Sequence, residues 1–209
     1  MTDPREPIHD IAHLGHVEML TPKPDESLRF FTDVMGMTIS GRNGDSVFLR
    51  GWDAYEHHSL QLTASNTSGL GHYALRAASP QALQRRVEAI KKSGCGKGWK
   101  DDNLGHGPAF CFTDPDGHQI EIYYETERYQ PSAETKPALK NQASRYSDRG
   151  VGVRRLDHIA LLAADVRANR QFMEETLGAR LTEQIIFDDG SEKGAWVTFN
   201  NKSYDVTFA

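Results

Sequence analysis

The stretch Leu14-Gly-His16-Val-Glu-Met-Leu20 returns twice in this chain, as Leu70-Gly-His72-Tyr-Ala-Leu75 and as Leu156-Asp-His158-Ile-Ala-Leu-Leu162. Each copy alternates apolar residues with others, which is typical of a half-buried β-strand. The histidine near its start therefore shares a strand face with every second residue. Because histidine is the commonest metal ligand in proteins, a curled sheet can gather several such strands around one ion.

The residues after each copy repeat as well. Gly36 follows His16 by 20 residues, and Gly178 follows His158 by the same 20. In each interval the pattern predicts a strand and then a helix, which the glycine ends. Alternating runs after the glycine predict further strands.

The middle copy begins a unit of the same order. Ser79 and Pro80 are typical of a helix start, as N-cap and first helical residue. A loop rich in glycine and lysine is predicted through Trp99 to Gly107, and strands are predicted over residues 109–113 and 118–124.

These units predict an α+β fold of repeated βαβββ modules, whose sheets form cup-shaped half-barrels. We expect an N-terminal domain of two modules over residues 8–125. A connector with several Pro, Ser and Lys residues follows over residues 126–154. The first module of a C-terminal domain, itself incomplete, is expected over residues 155–209.

The sequence stops at Ala209, within the apolar run Val206-Thr-Phe-Ala. A strand that ended there would leave backbone groups of its neighbours unpaired. Three units stand where the symmetry predicts four. We therefore expect this sequence to be a fragment of a longer chain.

Composition excludes several classes of protein. The 209 residues carry a net charge of −5, with a pI near 6.0, whereas a nucleic-acid-binding protein needs a basic face. No run approaches the roughly 18 apolar residues of a membrane span, and residues 1–10 lack the apolar core of a signal peptide. Cys95 and Cys111 form no disulfide framework. We expect a cytoplasmic protein with no nucleic-acid or membrane partner.

A first metal site is predicted in the two opening units. Its candidate ligands are His16, Gln61, His72 and Glu121, each on a predicted strand. Two imidazoles, a carboxylate and an amide oxygen suit a divalent ion such as Zn, Ni, Mn or Fe(II). The alternative is that these are satisfied polar residues on a partly hydrated sheet face.

A second, competing site is predicted at His158. By analogy with His72 and Glu121, a fourth unit would supply one more histidine and a glutamate. Two histidines and one carboxylate form the facial triad of non-haem Fe(II) oxygenases. Such a site leaves two neighbouring positions for the oxygens of a catechol and one for O₂.

The chain resembles the vicinal oxygen chelate superfamily and, within it, the type I extradiol dioxygenases of the catechol 2,3-dioxygenase and homoprotocatechuate 2,3-dioxygenase kind. The resemblance is carried by the histidine phrases, by His57-His58-Ser-Leu-Gln-Leu, and by Asp114-Pro-Asp-Gly-His-Gln-Ile-Glu-Ile-Tyr-Tyr-Glu-Thr-Glu127. The last phrase is common to the whole superfamily. The two-domain layout with its connector is more specific to the extradiol enzymes. The resemblance implies the glyoxalase/bleomycin-resistance/dioxygenase fold.

The resemblance also implies roles for individual residues. His158 matches the first iron ligand, while the other two ligands of the family lie in the fourth unit, past Ala209. Trp196 matches a position that lines the substrate pocket. Tyr204 matches an acid beside the iron, which many of these enzymes supply as histidine. A phenol still donates a hydrogen bond but is a poorer proton shuttle at neutral pH. The alternative for Tyr204 is an aromatic side chain that only packs.

Three functions follow as hypotheses. The first is an extradiol ring-cleaving dioxygenase that acts on a catechol with O₂ at Fe(II), or Mn(II), in the breakdown of aromatic compounds. This chain alone would then be inactive, and the enzyme would be a homo-oligomer. The second is a glyoxalase-type metal-dependent isomerase or transferase at His16, Gln61, His72 and Glu121. The third is a binding protein of the same fold, without catalysis.

Overall fold

The computed structural model describes residues 9–139, 142, 144–146 and 148–209 of the chain. The predicted domain start at residue 8 and the connector positions 140, 141, 143 and 147 lie outside the described residues. The described part contains twelve strands and three α-helices in three successive βαβββ modules. The predicted α+β fold is therefore confirmed.

The first module runs from the first histidine phrase to residue 64. In chain order, its elements are β1 (Ile11–Thr21), α1 (Pro24–Arg29), a π-helical turn (Phe30–Val34), β2 (Thr38–Asn43), β3 (Ser46–Arg50) and β4 (Leu60–Ala64). Lys23 precedes α1 and makes no side-chain capping hydrogen bond. Leu28 and Phe31 of this helical segment are partly buried and pack against the core of the first module.

The second module repeats this order with better helix signals. Its elements are β5 (Gly69–Ala77), α2 (Pro80–Ser93), β6 (Gly96–Lys100), β7 (Ala109–Thr113) and β8 (Gln119–Tyr123). The Ser79 hydroxyl caps α2 by accepting from the Ala82 backbone N–H at 2.9 Å. Gly94 ends the helix at a φ of +80°, which favours glycine.

Strand β6 corrects the sequence prediction, which placed its final residues in a loop. Glycine and lysine have low strand propensity, so the composition of residues 96–100 does not predict a strand. The segment is nevertheless extended because it pairs antiparallel with β7, with Trp99 opposite Phe110. Tertiary pairing here outweighs local propensity.

The third module contains β9 (Ile159–Leu161), α3 (Val166–Leu177), β10 (Arg180–Ile186), β11 (Glu192–Thr198) and β12 (Val206–Phe208). Asp165 caps α3 by accepting from the Ala168 N–H at 2.9 Å. Gly178 ends α3 at a φ of +75°, as the sequence predicted.

Two sheets result, and neither closes into a barrel within the described residues. The first has eight strands in the order β2-β3-β4-β1-β5-β8-β7-β6, and the second has four in the order β10-β11-β12-β9. In each module the first strand pairs parallel with the last. The first two modules meet through the antiparallel pair β1–β5, which lies at the centre of the eight-stranded sheet.

One hydrophobic core joins the two sheets. It contains Phe112 and Ile122 of the first sheet together with Phe172, Met173 and Phe208 of the third module. The rings of Phe112 and Phe172 lie 6.3 Å apart between centroids. Burial of these large side chains stabilises the contact by about 25 cal/mol for each Å² of apolar surface.

The end of the connector is hydrogen-bonded to the first module. Val151 and Val153 donate their N–H groups to the carbonyls of Val34 and Met35, at 2.8 and 3.1 Å. Trp52 in turn donates its N–H to the Val153 carbonyl at 3.1 Å. The backbone that leads into the third module is therefore fixed along the first one.

Within the described residues, no helix combines the length and apolar character needed to cross a membrane.

Candidate functional site

Three of the predicted ligands of the first site come together on one face of the eight-stranded sheet. His16 on β1 lies opposite Ala74 on β5, and Ala74 lies opposite Glu121 on β8. Residues paired across neighbouring strands point to the same face, and the small Ala74 leaves room between them. His72, two residues before Ala74, shares this face. The strand alternation thus places two imidazoles and a carboxylate side by side.

The distances within this group are short. His16 Nε2 lies 3.0 Å from His72 Nε2 and 3.2 Å from Glu121 Oε1. His72 Nε2 lies 3.5 Å from the same oxygen. His16 and Glu121 are almost fully buried, with side chains 2% and 4% exposed. Polar groups buried this deeply need partners or an ion, because an unpaired buried charge is costly.

Two further histidines, which the sequence prediction missed, complete the group. His106 lies in the loop before β7 and places its Nε2 3.2 Å from Glu121 Oε1. Ligand atoms of His16, His106 and Glu121 all lie within 4.8 Å of one another. The His58 ring lies 4.4 Å from that of His16. We call His16, His58, His72, His106 and Glu121 the imidazole cluster.

Gln61, the fourth predicted ligand, is placed differently. It lines the same cavity of about 170 Å³ as the imidazole cluster. Its Nε2 donates to Glu18 Oε1 at 2.9 Å and to the hydroxyls of Ser46 and Thr63 at 3.1 Å. The amide therefore holds Glu18, which is itself bonded to His72.

Burial and mutual contact shift the pKa values of the imidazole cluster. Burial lowers the pKa of His16 to about 4. Burial also opposes the charged form of His72, but contacts with Glu121 and Glu18 outweigh it and raise the pKa of His72 to about 9. For Glu121, contacts with three imidazoles outweigh burial and lower the carboxyl pKa. The histidines of the cluster therefore surround the Glu121 carboxylate, which stays ionised.

The second predicted site lies on the four-stranded sheet. His158 directly precedes β9, and alternation puts it on the same face as Ala160 and Leu162, whereas Leu161 is buried in the core. Its side chain is 40% exposed. Its Nδ1 lies 2.8 Å from Asp157 Oδ2, and its ring lies 4.6 Å from that of Tyr204.

Trp196 shares this face of the second sheet. It lies opposite Thr207 on β12, and Thr207 lies opposite Ala160 on β9. The row places Trp196, Thr207 and Ala160 on the side to which His158 points. This face is open, since Leu162 is 86% exposed. The structure thus brings His158 and Tyr204 into contact and puts Trp196 on their side of the sheet.

This chain resembles known proteins along nearly its whole length. Residues 13–122 match the model of the Glyoxalase/Bleomycin resistance protein/Dioxygenase superfamily. The chain is 48% identical over 204 residues to a metapyrocatechase of Geobacillus stearothermophilus, which covers 98% of this chain and 62% of that protein. It is 32% identical over 199 residues to a manganese-dependent 2,3-dihydroxybiphenyl 1,2-dioxygenase of Geobacillus genomosp. 3, over 94% of this chain and 63% of that one.

Solved structures show the same likeness of fold. Homoprotocatechuate 2,3-dioxygenase of Brevibacterium fuscum, in complex with 3,4-dihydroxyphenylacetate, superposes with a TM-score of 0.79 at 25% identity. The match covers 99% of this chain and 62% of that one. The 2,3-dioxygenase LapB of Pseudomonas sp. KL28 superposes with a TM-score of 0.86 at 22% identity, over 97% and 71%. The chain spans less than two thirds of the two Geobacillus relatives.

Proposed function

The chain belongs to the glyoxalase/bleomycin resistance protein/dioxygenase superfamily, and from that premise we propose that it forms three βαβββ modules of an extradiol ring-cleaving dioxygenase. The substrate would be a catechol, cleaved with O₂ at a non-haem Fe(II) or Mn(II) centre. His158 would be one metal ligand, and the others would lie outside this chain. A homo-oligomeric state and a cytoplasmic location without nucleic-acid or membrane partners stay predictions.

One observation carries this proposal. The 48% identity to a metapyrocatechase extends over both sheets, so that it includes the open face that carries His158. Similarity restricted to the first sheet would support only the shared fold. The exposed His158 imidazole on that face can be reached by a metal ion and a substrate, whereas the His16 side chain is buried.

The contacts of His158 fit a metal ligand. Its Nδ1 lies beside the Asp157 carboxylate, which only accepts hydrogen bonds, so Nδ1 carries the hydrogen and Nε2 keeps its lone pair. This hydrogen bond, outweighing partial burial, lowers the pKa of the Asp157 carboxyl. Asp157 thus orients the imidazole and fixes its tautomer.

Tyr204 and Trp196 would act on the substrate. The Tyr204 phenol, in ring contact with His158, would donate a hydrogen bond to a substrate oxygen. Trp196 would offer an apolar wall to the aromatic ring of the substrate. The metal, when bound, would supply neighbouring positions for two catechol oxygens and for O₂.

The test is a chimera in which this chain continues after Ala209 with the part of the G. stearothermophilus metapyrocatechase that it does not match. We expect it to cleave catechol, as followed by oxygen uptake. His158→Ala should lower kcat/KM on the order of 1,000-fold or more, because a metal ligand is lost. The matched control is His9→Ala, at an exposed histidine on neither site.

Two results would overturn the proposal. A folded, metal-loaded chimera that takes up no oxygen with catechol would reject the ring-cleavage activity. Full activity of the His158→Ala chimera would reject His158 as a ligand.

A further inference from the structure

We propose that Lys202 is a positioning residue for His158, and that it acts through the carboxylate of Asp157. The ammonium of Lys202 holds this carboxylate where it accepts a hydrogen bond from Nδ1 of His158, which leaves Nε2 of the imidazole free for a metal. This role rests on the proposed function of His158 as a metal ligand, but the arrangement can be measured in the chain without a metal.

Two partners share the Asp157 carboxylate. Its Oδ2 lies 2.8 Å from Nδ1 of His158, and its Oδ1 lies 3.5 Å from Nζ of Lys202. The same Nζ donates a hydrogen bond to the backbone carbonyl of Asp157. Because the Asp157 side chain is 66% exposed, water competes for it, and an ion pair at such a surface is weak on its own. The contacts with Lys202 at the carbonyl and at Oδ1 together favour one orientation of the carboxylate.

Lys202 is itself fixed by a buried carboxylate. Asp205 is fully buried, and its Oδ1 lies 3.0 Å from Nζ of Lys202. The other oxygen of Asp205, Oδ2, accepts from the Thr198 hydroxyl at 2.9 Å and from the Phe199 N–H at 2.8 Å. A buried charge that loses its partner is costly, so the ammonium stays beside Asp205. The lysine side chain is therefore anchored at its charged end, next to Asp157.

The loop that carries Lys202 is also bonded to the first sheet. Asn200 donates from Nδ2 to the Ala12 carbonyl on β1 at 3.1 Å. Its Oδ1 accepts from the Lys202 backbone N–H at 2.8 Å. One amide side chain thus connects a strand of the first sheet with the backbone of Lys202. The first sheet therefore supports the geometry around His158 in the second sheet.

These contacts determine which nitrogen of His158 carries the hydrogen. A neutral imidazole has one N–H, and a carboxylate that faces Nδ1 keeps the hydrogen there. The bond is strong because its acceptor is charged, but only while the carboxylate stays in line with the ring. Metal-binding histidines typically give their outer N–H to such an acceptor. By holding Asp157, Lys202 keeps the Nε2 lone pair available and the ring in one orientation.

A cavity beside the ammonium allows a chemical test. Asp157, Asn200 and Lys202 line a cavity of about 300 Å³ at the junction of β1 with the third module. Lys202→Ala would remove three carbons and the ammonium from this place. These are the atoms of n-propylammonium, which is small enough to enter a cavity of this size. The lost group can therefore be supplied from solution.

The experiment uses the purified chain, freed of metal with a chelator and labelled with ¹⁵N, and observes its imidazole nitrogens by NMR. The pH is about 8.5, where an ordinary imidazole is neutral. His158→Gln identifies the signals of His158 by their loss. We expect the hydrogen of His158 on Nδ1 in the unchanged chain. In Lys202→Ala the ratio of the Nε2–H to the Nδ1–H form should rise roughly tenfold, because a charge-assisted hydrogen bond is weakened. Added n-propylammonium should reverse this rise.

A second variant separates positioning from folding, since Lys202→Ala leaves the buried Asp205 without its cation. The double variant Lys202→Met with Asp205→Asn removes both charges and keeps the shape of the carboxylate as an amide. It should unfold at a Tm close to that of the unchanged chain and still show the altered ratio at His158. The matched control is Lys193→Met, at an exposed lysine on β11, which should change neither.

Either of two results would contradict this inference. An unaltered ratio at His158 in the folded double variant would leave Lys202 as no more than the counter-charge of Asp205. A reversal by n-propanol as complete as that by n-propylammonium would mean that filled volume, and not charge, holds Asp157. Neither measurement involves a metal or oxygen. An inactive chimera would therefore reject ring cleavage without changing the assignment of Lys202, and the two proposals can fail separately.

Discussion

The two sheets of this molecule are built from the same module, but the histidine near the first strand of the module is buried in one sheet and exposed on the other. His16 is 2% exposed and lies within 3.2 Å of an imidazole and a carboxylate. His158, at the equivalent place in the third module, is 40% exposed and contacts only Asp157 and Tyr204 among the pairs described. The position of the histidine in the module is therefore not enough to enclose it.

The difference comes from the second module. Strand β5 supplies His72, β8 supplies Glu121, and the loop before β7 supplies His106, all of which close over His16. No described strand pairs with β9 on the side away from β12, so the face of His158 remains open. A single module presents one imidazole, and two modules joined edge to edge build a site.

The largest expected effect tests whether the two sheets are separate units at all. Met173 on α3 is fully buried in the core that joins them. Met173→Ala should cost about 2–5 kcal/mol of the free energy of unfolding, because it leaves a cavity. Urea unfolding followed by circular dichroism should still show one transition, shifted as a whole.

The control is Met19→Ala, since Met19 is 42% exposed and should change stability by less than about 0.5 kcal/mol. A biphasic curve for Met173→Ala, in which only one phase moves, would show that the sheets unfold independently. The two sheets would then be two separate domains and not two parts of one cooperative core.

A smaller effect concerns stability in acid, to which we expect Glu56, between β3 and β4, to contribute. Burial would raise the pKa of Glu56, but contacts with His13, Tyr123 and Arg76 outweigh it and lower the pKa to about 2. A carboxyl with a lowered pKa stabilises the fold above its ordinary value of 4.5, and this contribution is lost as pH falls toward 2. The full contribution is about 3 kcal/mol.

Glu56→Gln should therefore flatten the dependence of the free energy of unfolding on pH between 5 and 3, measured by urea titration at each pH. The exposed Glu88→Gln on α2 serves as the control and should leave the slope unchanged. If the free energy of unfolding depended on pH equally in Glu56→Gln and in the unchanged chain, the lowered pKa of Glu56 would be contradicted.

The smallest expected effect is on catalysis, through Tyr204 beside His158 on the exposed face of the second sheet. In the chimera, Tyr204→His should raise kcat at neutral pH about tenfold, because an imidazole exchanges protons near pH 7 more readily than a phenol. Tyr204→Phe keeps the ring and removes the hydroxyl, so it should lower kcat. If both variants matched the unchanged chimera, Tyr204 would only pack against His158.

Strand periodicity predicted much of this molecule. The alternation around His16, His72 and Glu121 placed all three on one face, and the order of the modules followed from the repeated phrase. His106 could not be found this way, since it lies in a loop whose path depends on contacts with Glu125 and Glu127. The available signal was its place between Gly105 and Gly107, where a loop can approach a sheet closely.

Gln61 illustrates a second limit. Its strand and its face were predicted, yet its amide turns to Glu18 and away from the imidazoles. Which of two nearby polar groups a side chain binds depends on differences of a few tenths of an ångström, which no periodicity encodes. Strand β6 was missed for the opposite reason, because its residues have little propensity and only a partner makes them extended.

The backbone seam between residues 151–154 and the first module has a practical consequence for anyone who wishes to cut or recombine this protein. Because Val151 and Val153 are bonded to residues more than a hundred positions earlier, a protease nick within residues 131–139 would leave the two pieces associated. A recombinant hybrid whose crossover falls at residue 155 would carry the seam with its upstream parent. Both sides of the seam would then come from one parent, so a foreign third module would start from a backbone that is already fixed in place.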